Sequence, residues 1–385
     1  MIKTKALLLV ILTMSFSTWC FGQSQLTVTA ANKLSIARAN QTIEITAKDL
    51  APLSEKDLNK IHVADSSGKE LLCQAVDADY DEYHKPDMVI FQADFAANQT
   101  KTFVVTAGKK HEYTKADFKA YGRFVRERFD DFAWENDRIA HRTYGKALIT
   151  WKGEPLTSSS IDIWSKRTSK LVINDWYMVD NYHADMGEGA DAYSAGPTRG
   201  CGGSGIWANN QLYVPSNFVD SRVLANGPIR VMFELVYEPF DVSGTKVSEV
   251  LRISLDAGSQ LDHFQSSYRL QNGGQPLAVA VGLKKVKDQQ KEVNAGHGWM
   301  TTWEPMEKNL GMQGLAAIVN SREFDKQAED KQNNLIVLKP GMSVSYWAGF
   351  AWDRAGRITS AEVWKKYVDE FAEGLITPIT VKVSP

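Results

Sequence analysis

Apolar and polar positions alternate with a period of two along most of this chain. Ile229, Val231, Phe233, Leu235 and Tyr237 interleave with Arg230, Met232, Glu234 and Val236, the pattern of a strand with unequal faces. Val247, Glu249, Leu251, Ile253 and Leu255 follow after Ser243-Gly244, a pair that suits the turn of a hairpin. Further short strands are predicted over residues 261–270, 277–283, 314–319, 335–338 and 342–350. The N-terminal part adds residues 42–47, 69–75, 88–93 and 101–105. Strands at this spacing, separated by Gly, Asn and Asp, predict a mainly β fold built as a large antiparallel β-sandwich.

One stretch is clearly helical. Thr359-Ser-Ala-Glu362 reads as a capping box, Val363, Tyr367 and Phe371 share a face beside Trp364 and Val368, and Gly374 followed by Pro378 marks the end. A helix at residues 359–374 is expected to pack outside the sandwich. There is no internal repeat and no Pro/Ser-rich linker. A weak boundary near residues 108–113 does not divide the chain, so residues 23–385 read as one domain with an N-terminal β-section.

The N-terminus has a different character. Two lysines in the first five residues precede the apolar run 6–14, and small or polar residues lead to Gly22. This is the layout of a secretory signal peptide over residues 1–22, and the run is too short for a membrane span. The protein is therefore expected to be exported, periplasmic or secreted. Trp19 before Cys20 fits lipid attachment poorly. Cys73 and Cys201 remain, far apart in sequence, and nothing in the sequence fixes a disulfide between them. Stability must come from a core, which about 360 residues can bury. A net charge of −2 offers no basic stripe, which excludes nucleic acid as an expected partner.

Chemistry concentrates in residues 129–207. Asp130-Asp-Phe-Ala-Trp134-Glu135-Asn136-Asp137-Arg138 leads to Tyr182-His183-Ala-Asp185-Met-Gly-Glu188-Gly-Ala-Asp191-Ala-Tyr193, and then to Arg199-Gly-Cys-Gly-Gly203. Glycines let backbone approach a ligand, while aromatic faces beside acids, guanidinium groups and an imidazole suit a negatively charged sugar. A structural ion-pair network is the alternative reading. The chain has no G-x-S-x-G elbow, Walker loop or H-E-x-x-H helix. Gly200-Cys-Gly-Gly-Ser-Gly205 lacks the Lys-Ser/Thr of a phosphate loop, so close backbone packing is the better reading.

These motifs, with Tyr144-Gly145, Asp162-Ile-Trp164-Ser-Lys166-Arg167 and Gly227-Pro-Ile-Arg230, resemble an exported bacterial family. Its members were catalogued as a domain of unknown function in gene clusters that digest polysaccharides. The family is associated with an oligosaccharide dehydratase acting on ulvan fragments. The resemblance implies a galactose-mutarotase-like β-supersandwich and an enzyme that removes water from a non-reducing-end uronic acid. An anionic oligosaccharide would be its partner.

Such an elimination needs definite parts. A base must take the C5 proton, an acid must protonate the leaving 4-hydroxyl, and a cation must neutralise the uronate carboxylate. His183 titrates nearest neutrality and is the first candidate for proton transfer, with Tyr182 and Tyr193 close in sequence. Arg199, Arg142, Lys166 and Arg167 are the carboxylate-holding candidates. Glu135, Asn136, Glu188 and Asp191 would fix hydroxyls or orient the imidazole, and Trp134, Trp164 and Trp207 would stack on pyranose faces. His141 reads equally well as buried and satisfied, and His297 as a cleft residue or a structural one. His183 with Asp185, Glu188 and Asp191 could instead hold a divalent cation. That spacing matches no metal signature, so no cofactor is required by default. Polysaccharide lyase cleavage, mutarotase-like epimerisation and plain sugar binding stay open as alternatives.

Overall fold

The computed structural model describes residues 24–79, 84–128, 130–152, 156–179 and 182–385. The segment 1–22 read as a signal peptide lies outside the described residues, as does Phe129. The fold is mainly antiparallel β with several sheets and a C-terminal helix. A nine-stranded sheet runs from Phe218–Asn226 at one edge to Gln290–Asn294 at the other. One face of it packs on two five-stranded sheets. Phe233, Phe264 and Tyr346 from the large sheet join Phe132, Trp134 and Ile163 from one small sheet in a single core. Ile206, Val281 and Ile336 of the other small sheet enter the same core.

The predicted strands are present with small shifts. Arg230–Tyr237 pairs with Thr245–Asp256, which also pairs with Phe240–Val242 across Ser243-Gly244. Ser243 and Gly244 have φ of 50° and 90°, the left-handed pair that a two-residue hairpin turn requires. The N-terminal strands build a separate core of Leu26, Val28, Ile45, Val63, Phe91 and Phe103. The C-terminal strand Thr380–Ser384 completes that section by pairing with Gln25–Ala31.

The helix runs over Ala361–Ile376, later at both ends than the sequence implied. Ser360, not Thr359, is the N-cap, and its hydroxyl accepts from the Val363 amide. Gly374 lies inside the helix, because Arg38 crosses there and donates to the carbonyls of Gly374 and Thr377. A Cβ on Gly374 would stand 2.8 Å from that guanidinium, so a side chain there would displace the end of Arg38. Trp364, Val368 and Ala372 form the buried seam against Trp299, Trp303 and Ile318, while Val363 turns outward.

The candidate residues centre on the small sheet that carries Phe132, Trp134 and Ile163, whose order is Gly189–Ala190, Asp162–Lys166, Ala140–Thr143, Asp131–Asn136 and Ala120–Val125. Side chains alternate across a strand. Phe132, Trp134 and Ile163 therefore enter the main core, and His141 turns with them to stack on Trp134. Asp131, Glu135, Arg142, Asp162, Trp164 and Lys166 face the other way, where residues 167–179 and 182–191 cover them.

Candidate functional site

Arg142 is the hub of the covered face. Its Nε donates to Asp162 at 2.7 Å, its Nη2 meets Asp191 at 3.0 Å, and Asp131 lies 3.8 Å from Nη1. Strand register produces half of this, since Arg142 is paired directly with Asp162. Tyr144 donates to the same Asp162 oxygen at 2.7 Å, and Tyr177 donates to Asp131 at 3.2 Å. Burial opposes the guanidinium charge, but Asp191, Asp162 and Asp131 outweigh it and hold the Arg142 pKa above its ordinary value. Burial pushes the Asp131 carboxyl up to about 7 against the pull of Arg142 and Arg128. This face thus holds a dense, buried charge network.

His183 brings that network to the surface. Its Nδ1 donates to the Asp191 carbonyl at 3.0 Å, with the Asp191 carboxylate 3.3 Å away. A neutral ring fixed in this way keeps its lone pair on Nε2. The side chain is 44% exposed, whereas Asp191 is 2% exposed. Burial lowers the His183 pKa, and Lys308, Arg142 and Arg128 add to the lowering against the pull of the Asp191 carbonyl. Lys308 also reaches the His183 carbonyl at 3.4 Å. A half-exposed base therefore stands beside the Asp191 carboxylate and within the influence of three cations.

An aromatic cluster supports it. The Tyr182 ring lies 4.4 Å from the imidazole and 5.2 Å from Trp164, which also touches Trp176 and Tyr177. Gly189 lets the covering segment close over the sheet. Its φ is +127°, and a Cβ there would stand 2.0 Å from the Ser165 carbonyl. The approach pairs Ser165 with Ala190 and delivers Asp191 to Arg142.

Several expected site residues have other duties. Lys166 donates to Glu135 at 2.6 Å and to the Asn136 carbonyl at 2.7 Å, with both side chains fully buried. Glu135 also accepts the amides of Val172 and Ile173, which anchors the short helix Ile173–Trp176. Asn136 is satisfied within its own turn and by the carbonyls of Asp256 and Ser259. Trp134 is fully buried on the opposite face and donates to Asp262 at 2.6 Å. His141 lies beside it, with Nδ1 on the Asp162 carbonyl and Nε2 3.0 Å from Asp262. None of these side chains can touch a sugar.

Arg199 is likewise no clamp for an incoming carboxylate. It is buried between sheets, and its guanidinium donates to Ser158, Ser159 and the Ser204 carbonyl. The glycines after it belong to the buried strand Cys201–Ala208, as backbone packing and not as a phosphate cradle. Trp207 of that strand packs against Ala280, Leu335 and Val337, on a different sheet from Arg142. Tyr193 buries its ring in the main core, and among the described residues its hydroxyl has no hydrogen-bond partner. Trp164 is fully buried, so only its neighbours Tyr177 and Tyr182 reach towards solvent. Cys73 and Cys201 are separate buried thiols.

Asp185 pairs with Arg167 at 2.9 Å and accepts the amides of Gly187 and Gly189, while Glu188 pairs with Lys170. Both acids are turned to these partners. Among the described residues, the trios of His and acidic groups able to share a metal lie elsewhere, at His62, His297 and Asp77. His297 belongs to one of them and bonds Asp369 at 2.7 Å.

Residues 30–381 match a family described as a domain of unknown function, DUF4861. The chain belongs to this family. A Formosa agariphila protein called Uncharacterized protein P7 is 32% identical over 372 residues, covering 92% of this chain and 93% of that protein. Among solved structures, a glycosyl hydrolase family 38 protein from Enterococcus faecalis superposes with a TM-score of 0.55 at 11% identity. It covers 95% of this chain and 48% of its own. An alpha-mannosidase from Enterococcus faecalis V583 gives 0.53 at 10% identity, covering 96% of this chain and 47% of its own. The chain thus spans about half the length of these two structures, and the likeness is one of fold. No helix among the described residues is long and apolar enough to cross a membrane.

Proposed function

We propose that this protein is a carbohydrate-active dehydratase that eliminates water from the non-reducing-end uronic acid of an ulvan-type oligosaccharide. The observation that carries the reading is the half-exposed His183 imidazole, held through Nδ1 by the Asp191 carbonyl, with Lys308, Arg142 and Arg128 among the charges that lower its pKa. In the proposed step His183 Nε2 removes the C5 proton. The electron pair forms the C4–C5 double bond, and the 4-hydroxyl leaves as water after taking a proton from Tyr182. Lys308 and Arg128 supply the positive field for the uronate carboxylate. Charge building on that carboxylate as C5 loses its proton is thereby stabilised. Arg142 acts through Asp191 as a positioning residue.

The geometry favours elimination over glycoside hydrolysis. Hydrolysis by the usual route requires two carboxyl groups flanking a shared cleft, whereas Asp131, Asp162 and Asp191 are buried around Arg142. Fold likeness to mannosidase-type structures is compatible with work on sugars, and export through residues 1–22 would place the enzyme where polymer fragments arise. The test is incubation with saturated uronic oligosaccharides, followed by ultraviolet absorbance and mass. Growth of an unsaturated chromophore with loss of one water and no chain shortening supports the proposal. Chain shortening would make the protein a lyase, and neither change would leave no elimination at all. The lowered His183 pKa places the acidic limb of kcat/KM below pH 6.5, because the base must be neutral to act.

A further inference from the structure

The N-terminal β-section presents two histidines and a glutamate at one point, far in sequence from the proposed active site. His62 is on the strand Ile61–Asp65, Glu70 on its neighbour Glu70–Leu71, and His111 on the segment beyond Thr100–Ala107. Each offers one ligand atom within 4.8 Å of the other two. On both rings Nε2 faces a backbone carbonyl, of Lys109 at 2.8 Å for His62 and of Ile61 at 2.7 Å for His111. A neutral imidazole donates to such a carbonyl, which leaves Nδ1 of His111 as its lone-pair nitrogen, whereas Nδ1 of His62 faces the Glu70 carboxylate through a shared proton that a metal ion would replace. Backbone carbonyls that fix the second nitrogen in this way are the usual outer support of metal-binding histidines.

The pocket is also held rigid. The two imidazoles pack with centroids 4.2 Å apart, and His111 stacks on Tyr113, whose hydroxyl donates to the Cys73 carbonyl. The flexible member is Glu70, whose side chain is 61% exposed and now lies 2.6 Å from His62 Nδ1. Tetrahedral zinc at about 2.0–2.1 Å from each ligand holds its ligand atoms about 3.3 Å apart. For the His62–Glu70 pair this asks Glu70 to withdraw by less than about 1 Å, within the reach of an exposed side chain.

We propose that His62, His111 and Glu70 form a zinc-binding site that clips together three segments of the N-terminal β-section. Two imidazole nitrogens and one carboxylate select a borderline cation such as Zn²⁺ over Ca²⁺ or Mg²⁺, which prefer all-oxygen shells. Water completes the tetrahedron on the exposed side. The site stabilises the fold and takes no part in the proposed elimination.

The test is calorimetric titration of Zn²⁺ and of Ca²⁺ into the chelator-treated full chain, with a thermal melt alongside. One Zn²⁺ per chain, a raised Tm and no comparable uptake of Ca²⁺ are expected. His111→Gln and, as a variant at an exposed position, Glu70→Gln should each weaken binding at least about tenfold, whereas His297→Gln should leave it unchanged. Absence of stoichiometric Zn²⁺ uptake would overturn the proposal. So would equal affinity for Ca²⁺, binding indifferent to both His111→Gln and Glu70→Gln, or binding lost in His297→Gln.

Discussion

Replacing Arg142 with methionine probes the charge network most severely. The change keeps side-chain length but removes the guanidinium that lies within 4 Å of both Asp162 and Asp191. One charge-assisted hydrogen bond at 2.7 Å, contributing about 1.5–3 kcal/mol, and one ion pair at 3.0 Å disappear. The larger effect is that buried carboxylates lose the guanidinium that offsets their charge, and breaking a buried pair costs about 3–5 kcal/mol. A loss of about 4 kcal/mol is therefore expected at pH 8. Protonation relieves part of it. Without Arg142 the aspartates have folded-state pKa values above their unfolded ones, so the folded variant binds extra protons. Its stability falls as pH rises, by about 1.4 kcal/mol per unit while one carboxyl titrates. The deficit at pH 6 should thus be clearly smaller than at pH 8. Urea unfolding at both pH values, followed by tryptophan fluorescence, measures it, because the Trp164 ring lies 5.8 Å from the guanidinium. Arg142→Lys retains charge but loses the planar fork, and should fall between the two. A deficit under about 1 kcal/mol at pH 8, or one independent of pH, would refute the reasoning.

Two further substitutions test other parts of the account. Burial pushes the Glu249 carboxyl up to about 7, so the folded state holds a proton that the unfolded state releases above about 4.5. Stability from this group is full at low pH and declines as pH rises towards 7. Glu249→Gln should flatten the slope of Tm between pH 5 and 7, and an unchanged slope would contradict the assignment. Gly189→Ala sets a Cβ against the Ser165 carbonyl at a left-handed φ, a strain of at least about 1–3 kcal/mol. It should lower Tm and loosen the His183–Asp191 contact, seen as a shifted imidazole NMR signal. A variant with wild-type Tm and signal would show that the close approach is unimportant.

Much of the fold was legible because strand periodicity is local. Residues 261–270 were bounded correctly, and the Ser243-Gly244 turn follows from residue types that accept positive φ. The helix ends were misplaced because their causes are long-range. Arg38, more than three hundred residues away, occupies the space beside Gly374. In the site, residue chemistry pointed to His183 and Tyr182, but composition cannot say which face of a sheet a side chain takes. Trp134 and Glu135 are neighbours in sequence and lie on opposite faces. Asp131 and Asp162 were missed as partners of Arg142, although strand parity and register together would have placed all three on one face. Arg199 was a candidate to hold the carboxylate, yet the glycines beside it bring sheets close enough to bury it. Lys308 comes from a distant turn and left no local signal.

The central claim is that His183 Nε2 moves the proton in an elimination, and turnover of His183→Ala on a uronic oligosaccharide tests it most directly. Removing a positioned acid–base group lowers rate by about 10²–10⁴. The side chain is part-exposed and its loss leaves Arg142 paired with Asp191, so fold and substrate affinity should be retained. The account predicts kcat reduced by that range, with a wild-type melting curve and a dissociation constant changed by only a few-fold. Near-full turnover by His183→Ala, in protein that melts like wild type, would contradict it.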